Sequence, residues 1–211
     1  MSSIHTRMLI RTGVVTIALA VVCTPVGVHG LSQRSAQAGT ASQTTPPSKR
    51  MQDGRQWATT NLDVISDGSY CYGDAPANCR RYGRLYTWEA AQQGCLSVGE
   101  GWRLPTNDEW RLLATRYGGL REESGDMGKA AYTALVTGGS SGFEALLGGG
   151  REPTAGEYAR LEAHGLYWTA SETDASTAWV YNFGKGGQSV NRHTGMVKQW
   201  AFSVRCIRNE G

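Results

Sequence analysis

The sequence predicts an α+β domain, exported and pinned by two disulfides. Three observations carry that reading. Helical patterning falls in the first half of the domain and short, turn-separated strands in the second, an order that suits α+β packing and not alternating βαβ units. A leader-like stretch precedes the domain, and four cysteines remain once that stretch is set aside.

The leader comes first. Arg7 and Arg11 give a positive start, and Val14 to Cys23 is apolar except for Thr16. Thr24-Pro25 ends the run, and Val28-His29-Gly30 supplies small or permissive groups at the usual cleavage offsets. The run is shorter than the ~20 residues that a spanning helix needs. Residues 1–30 therefore read as a signal peptide, and a secreted or periplasmic protein is expected, with no membrane span in the mature chain. Cys23 offers a lipid-anchored alternative, disfavoured by the bulky Val22 before it; an uncleaved anchor ranks third. Residues 31–50 are rich in Ser, Gln, Thr, Ala and Pro, have little to bury, and read as a linker. Residues 51–211 are the right length for one domain and show no repeat of fixed period.

Within the domain, 55–62 reads as a first strand anchored by Trp57, and 67–83 as a turn-rich segment. Residues 87–95 read as a helix, with Thr87 as N-cap and Trp88, Ala91 and Cys95 on one face. Thr106-Asn-Asp-Glu109 has the capping-box pattern and opens a second helix, with Trp110, Leu113, Ala114 and Tyr117 on one face and Gly118-Gly119 as its stop. Residues 127–136 read as a third, weaker helix. Short strands are expected at 143–147, 166–171, 179–183, 189–191 and 202–208, with Gly, Asn, Ser and Asp between them.

An even set of cysteines in an exported chain favours disulfides, and Cys71, Cys79, Cys95 and Cys206 allow three pairings. Position favours one of them. Cys71 and Cys79 flank a short loop holding Gly73 and Pro76, while Cys95 lies on a helix's apolar face and Cys206 alternates with apolar residues in the closing segment. In the chain-entropy account the short loop stabilises by about 2.5 kcal/mol and the long one by nearly 5. Arg80 and Arg81 beside Cys79 keep a redox thiol as the competing reading.

The chain carries 21 Lys and Arg against 18 Asp and Glu, a net charge of +3 that falls to +1 without Arg7 and Arg11. A nucleic-acid binder wants a clustered basic excess, so no such partner is expected. His164 and His193 are the two histidines beyond the leader, and they show no zinc spacing. Gly138-Gly139-Ser140-Ser141-Gly142 has the spacing of a Gly-x-Ser-x-Gly nucleophile elbow but reads as a flexible turn, and the chain has no lysine-containing phosphate loop.

An ordered series of motifs resembles a known family. It runs through Cys71-Tyr-Gly-Asp-Ala-Pro-Ala-Asn-Cys79, Tyr82-Gly-Arg-Leu-Tyr-Thr-Trp88, Cys95, Gly101-Trp-Arg-Leu-Pro-Thr-Asn-Asp-Glu-Trp110, Tyr167-Trp-Thr-Ala-Ser-Glu172 and Phe202-Ser-Val-Arg-Cys206. Over 51–208 this series is similar to the Fibrobacter succinogenes major paralogous domain, a group of exported bacterial domains of unsettled role. That family looks related to the C-type-lectin-like fold, which it shares with the formylglycine-generating sulfatase-modifying enzymes. The resemblance implies two helices flanking a small sheet, neighbouring termini, and a disulfide from a helix to the last strand, the same Cys95–Cys206 bond that position favours.

It also implies a ligand-binding or adhesion module whose irregular loop region spans about 148–199. There Glu172 and Asp174 sit in a polar turn, Asn182, Asn191, Arg192 and His193 are able to hydrogen-bond a glycan or a protein, and Trp179 or Tyr181 is able to stack on a sugar face. Against this, Trp179, Tyr181 and Phe183 alternate at strand period and one face is expected to be core. The calcium signatures of sugar-binding C-type lectins (Glu-Pro-Asn or Gln-Pro-Asp, and Trp-Asn-Asp) are missing, and Glu152-Pro153-Thr154 is only a superficial echo. The formylglycine enzymes need a reactive pair of late cysteines, and this chain has one. The expectation is a non-enzymatic domain with no metal and no cofactor. A structural display domain is the alternative, and a cysteine enzyme ranks behind it.

Overall fold

The computed structural model describes residues 45–209. The expected signal peptide and Cys23 lie outside the described residues. In chain order the elements are β1 (Ser48–Arg50), β2 (Gln56–Ala58), β3 (Ser69–Tyr70), a 3-10 turn (Tyr72–Asp74), α1 (Pro76–Tyr82), β4 (Leu85–Tyr86), α2 (Trp88–Ser97) and β5 (Trp102–Arg103). There follow α3 (Asn107–Arg116), α4 (Lys129–Leu135), β6 (Gly150–Arg151), β7 (Tyr158–Ala159), β8 (His164–Glu172), β9 (Thr177–Gly184), β10 (Ser189–Val197) and β11 (Ile207–Arg208).

Every strand pair is antiparallel: a sheet in the order β1-β2-β11-β5, a meander β10-β9-β8, and the small pairs β3-β4 and β6-β7. With four α-helices among the described residues, the architecture is the α+β class expected, one helix richer than foreseen. Alternation along β9 explains the layout. Ala178 and Val180 enter an apolar cluster with Leu166 and Trp168 of β8, Ala91 and Cys95 of α2, and Phe202 and Val204. Tyr181 and Phe183 face the other way, into a second cluster with Trp57, Trp110, Leu113, Leu135 and Phe143. The meander is thus a partition with core on both faces, which explains why its middle strand reads as nearly continuous apolar sequence. Trp110 is the hub of the second cluster: its ring lies 5.0 Å from Trp57, 5.3 Å from Tyr181 and 5.7 Å from Phe143.

Both disulfides form in the favoured pairing. Cys71–Cys79 has a Cα separation of 4.9 Å, and Cys95–Cys206 one of 5.6 Å, joining the buried face of α2 to the residue that leads into β11.

Several expectations shift. Ser48–Arg50, placed in the linker, pairs with Gln56–Ala58, because a strand needs only backbone partners and all three of its side chains stay exposed. The turn-rich 67–83 segment contains a helix, α1, started by Pro76 at its first turn, where the missing N–H costs nothing. Residues 143–147 form no strand beyond a single bridge from Ala145 to Val136. Glu144 is left-handed (φ 59°), and the carbonyls of Phe143 and Glu144 accept hydrogen bonds from Arg205 instead of from a ladder. Residues 202–208 form a strand only at Ile207–Arg208. Before that the chain crosses between sheets, bridging Tyr86 at Phe202 and Tyr167 at Ser203.

The capping box on α3 is present and extended. The Glu109 backbone N–H donates to Thr106 Oγ1 (3.3 Å), and Glu109 Oε2 accepts from Thr106 N (2.9 Å). The same carboxylate receives both terminal nitrogens of Arg103, at 2.6 and 2.7 Å, and Arg55 Nε at 3.2 Å. Burial works against its ionisation, but Arg103 and Thr106 outweigh burial and hold the Glu109 carboxyl at about 2, below its ordinary 4.5. A depressed folded-state pKa contributes stability that is fully present above the unfolded value and is lost as pH falls through the folded one. Glu109→Gln is therefore expected to cost about 2 kcal/mol at pH 7, an amount discounted for the solvent that reaches both arginines. The gap to wild type should narrow between about pH 5 and pH 2. Urea midpoints across that range check this; parallel pH profiles for the two proteins would show that the network does not stabilise the fold.

Candidate functional site

A cavity lies beside the β6–β7 hairpin, and the Cys71–Cys79 clip helps to seat that hairpin. Tyr158 on β7 donates its hydroxyl to Asp74 (2.6 Å) inside that clip, and Arg151 on β6 stacks over Tyr70 at 4.1 Å. The β6–β7 hairpin is also stitched to the closing segment by reciprocal backbone bonds between Arg151 and Ala201, 3.0 Å each way. Gly150 makes that approach feasible, since a Cβ there would lie 2.7 Å from the Phe202 ring.

Between this hairpin and the β8 and β10 strands lies a cleft of about 390 Å³. Leu166 and Phe202 give it an apolar base, and Met196 and Trp200 line it as well. Trp200 and Phe202 are stacked, with ring centroids 5.8 Å apart. The polar groups are His193 and Arg160. Arg160 holds a left-handed backbone (φ 69°), a conformation that costs an ordinary residue on the order of 1 kcal/mol.

A relay of side chains crosses the meander behind His193. His164 Nδ1–H donates to Asn182 Oδ1 (3.0 Å), and Asn182 Nδ2 donates to His193 Nε2 (3.4 Å). Loss of water around the partly enclosed His193 ring pushes its pKa below the ordinary value; Arg160 and His164 push the same way, and Glu122 opposes them. A neutral imidazole accepting at Nε2 keeps Nδ1–H for a ligand.

Of the residues singled out in the sequence, the structure joins Asn182, Asn191 and His193 on one face of the meander, where the register sets Asn191 opposite Asn182 and His193 opposite Val180. Asn191 Oδ1 accepts from the Ser189 hydroxyl (3.2 Å). Trp179 and Arg192 lie on the other face: the guanidinium stacks 5.1 Å from the Trp179 ring and pairs with Glu123 at 3.3 Å. Glu172 and Asp174 sit at the β8–β9 turn with internal partners. Glu172 pairs with the buried Lys198 (3.0 Å), which also stacks 4.2 Å over Trp88. Asp174 accepts from the Thr177 hydroxyl (2.7 Å) and from the Ser176 backbone N–H (2.7 Å) and hydroxyl (2.8 Å); these bonds hold its carboxyl at about 2. Among the described residues no group of three or more His, Cys, Asp or Glu is placed to hold a metal ion, and no helix is long and apolar enough to cross a membrane.

A family model for the Fibrobacter succinogenes major domain matches residues 41–208. The chain belongs to that family. No curated protein and no solved structure matches it. The Fibrobacter succinogenes major domain thus takes in β1 and ends on β11, the two strands that flank β2. Sequence reasoning missed Trp200, Phe202, Met196, Leu166 and Arg160 as cavity residues. The one signal available was Trp200-Ala-Phe202, two large rings at strand period just ahead of the closing segment.

Proposed function

We propose that this is a non-enzymatic binding module of an exported protein, arranged in the manner of C-type-lectin-like domains, with a saccharide as its ligand. The observation that carries the reading is the cleft in which Trp200 and Phe202 meet the neutral His193 and the cationic Arg160. A sugar ring has an apolar face and a polar edge. Stacked aromatic rings suit the first, and an imidazole N–H and a guanidinium suit the second. Adhesion at the cell envelope or outside the cell follows if that sugar belongs to a surface glycan. The Cys95–Cys206 bond argues against chemistry at the late cysteine, and a disulfide-stapled frame suits an oxidising compartment.

A glycan array, followed by calorimetric titration of the best ligand, tests this. Trp200→Ala is expected to weaken binding at least tenfold, about 1.4 kcal/mol, with the thermal midpoint little changed because Trp200 is only partly buried. No saccharide binding, or unaltered affinity in Trp200→Ala, would leave the structural display role as the better reading.

A further inference from the structure

The side chains of the cleft beside the β6–β7 hairpin offer donors and no oxygen acceptor. No aspartate, glutamate, amide or hydroxyl side chain is among its lining residues, so its polar side-chain groups are the Arg160 guanidinium, the His193 imidazole and the Trp200 indole N–H. A neutral sugar presents hydroxyls that donate as well as accept, and a lining of donors alone leaves half of that capacity unmet. An ionised carboxylate only accepts.

Arg160 supplies the charge. Its carbonyl accepts the backbone N–H groups of Ala163 (3.1 Å) and His164 (3.0 Å), while its guanidinium has no hydrogen-bond or ion-pair partner among the described residues. Burial chiefly, helped by the nearby Arg160 and His164, keeps a second proton off His193; the opposing carboxylate, that of Glu122, is not among the residues lining the cleft. The cleft thus holds one permanent cation and no anion. The relay through Asn182 settles which imidazole nitrogen faces outward with its hydrogen. Asn182 Oδ1 takes the His164 N–H (3.0 Å) and Asn182 Nδ2 donates to His193 Nε2 (3.4 Å), so Nδ1 of His193 carries the hydrogen and has no partner among the described residues. The backbone adds an independent observation. Arg160 is left-handed (φ 69°), a conformation that glycine takes freely and arginine takes under strain, and no bond of its side chain within the chain offsets that strain.

We propose, resting on the saccharide reading of this cleft, that its ligand is an acidic sugar, a uronic acid residue whose carboxylate takes the forked donors of Arg160 and the His193 Nδ1–H while its ring face lies on Trp200. A planar carboxylate matches one guanidinium fork bidentately, and its single charge matches the single cation. The aromatic surface takes the apolar face of the ring, as it would for a neutral sugar. What the uronic acid adds is an acceptor where the cleft has only donors.

Calorimetric titration of the folded protein tests this with the methyl glycosides of glucuronic, galacturonic and mannuronic acid, each beside the methyl glycoside of its neutral parent hexose. At least one uronide is expected to bind at one site per chain, at least tenfold tighter than its parent, and to weaken as salt is raised. Arg160→Gln should remove that advantage, a loss of at least tenfold, and Arg160→Lys should recover part of it. Arg160→Gly relieves the left-handed backbone and should lose the same affinity with the thermal midpoint little changed, which separates lost binding from lost folding. Arg116→Gln, at the exposed end of α3, should bind as wild type does. Uronides bound no more tightly than their parents, or equally by wild type and Arg160→Gln, overturn the acidic ligand. If Trp200→Ala still weakens the neutral sugars in that case, the saccharide reading stands without it. Binding of neither kind of sugar overturns both.

Discussion

Replacing Arg205 by Met is expected to lower the stability of the domain by about 3–5 kcal/mol, the range seen when one partner of a buried charged network is removed. Arg205 is fully buried. Its Nη2 donates to Asn61 Oδ1 (2.8 Å) and to the Glu144 carbonyl (2.8 Å), and its Nη1 donates to the carbonyls of Ala58 (3.1 Å) and Phe143. The guanidinium also packs 4.5 Å from the Phe143 ring. Burial pushes its pKa down and Tyr167 opposes that, but arginine remains charged at any ordinary pH. Those carbonyl dipoles and the ring therefore replace water around the cation. Methionine supplies comparable volume but leaves the buried carbonyls of Ala58 and Phe143, the partly buried one of Glu144, and Asn61 short of a donor, each buried group at about 1–3 kcal/mol before relaxation. Lysine keeps the charge without the planar fork and should cost nearly as much. Urea denaturation reads the effect directly. A Met variant within about 1 kcal/mol of wild type would mean that these carbonyls find other donors and that Arg205 does not organise the fold.

That residue marks the boundary of what was legible in the sequence. The Thr106–Glu109 capping box, the apolar faces of α2 and α3 and the strand periods of β8 and β9 are local patterns, and local patterns survive in a one-dimensional reading. The 143–147 segment looked like a strand because its composition is apolar. Its carbonyls are claimed by a guanidinium more than sixty positions later, and no local window contains that fact. Likewise α1 was hidden because Gly73, Asp74, Pro76 and Asn78 read as turn residues, although Pro76 sits where a helix tolerates it.

The candidate site divides the same way. His193 and Asn182 were singled out for their chemistry, and the β9–β10 register does bring them together. Trp179 and Arg192 alternate out of that set by strand period, which the spacing 179, 181, 183 already implied. Trp200 and Phe202 were not singled out, and large rings in a closing segment are more often core. Phe202 is indeed fully buried, and it is the adjoining Trp200, only partly covered, that lines the cavity with it.

Removing the Cys95–Cys206 bond by paired alanine substitution is expected to cost about 3–5 kcal/mol, more than removing Cys71–Cys79, at about 2. Loop length sets the order. The first bond closes a sequence separation of 111 residues and the second one of 8, so the first removes far more freedom from the unfolded chain. Location adds to it. Cys95 and Cys206 are almost wholly buried within the cluster that packs α2 against the meander, so small cavities accompany the lost bond. Cys206 also immediately precedes β11, the strand that joins β2 to β5, and loosening it would free the centre of that sheet. The short clip acts differently: beside its smaller global cost, its loss should release the Tyr158–Asp74 contact that seats the β6–β7 hairpin beside the candidate cleft. Denaturant unfolding of both paired variants, with hydrogen exchange at the hairpin, separates the two effects. If the short-loop variant proves the less stable, native-state strain or residual structure in the unfolded chain outweighs loop entropy in this domain, and loop length does not rank its two disulfides.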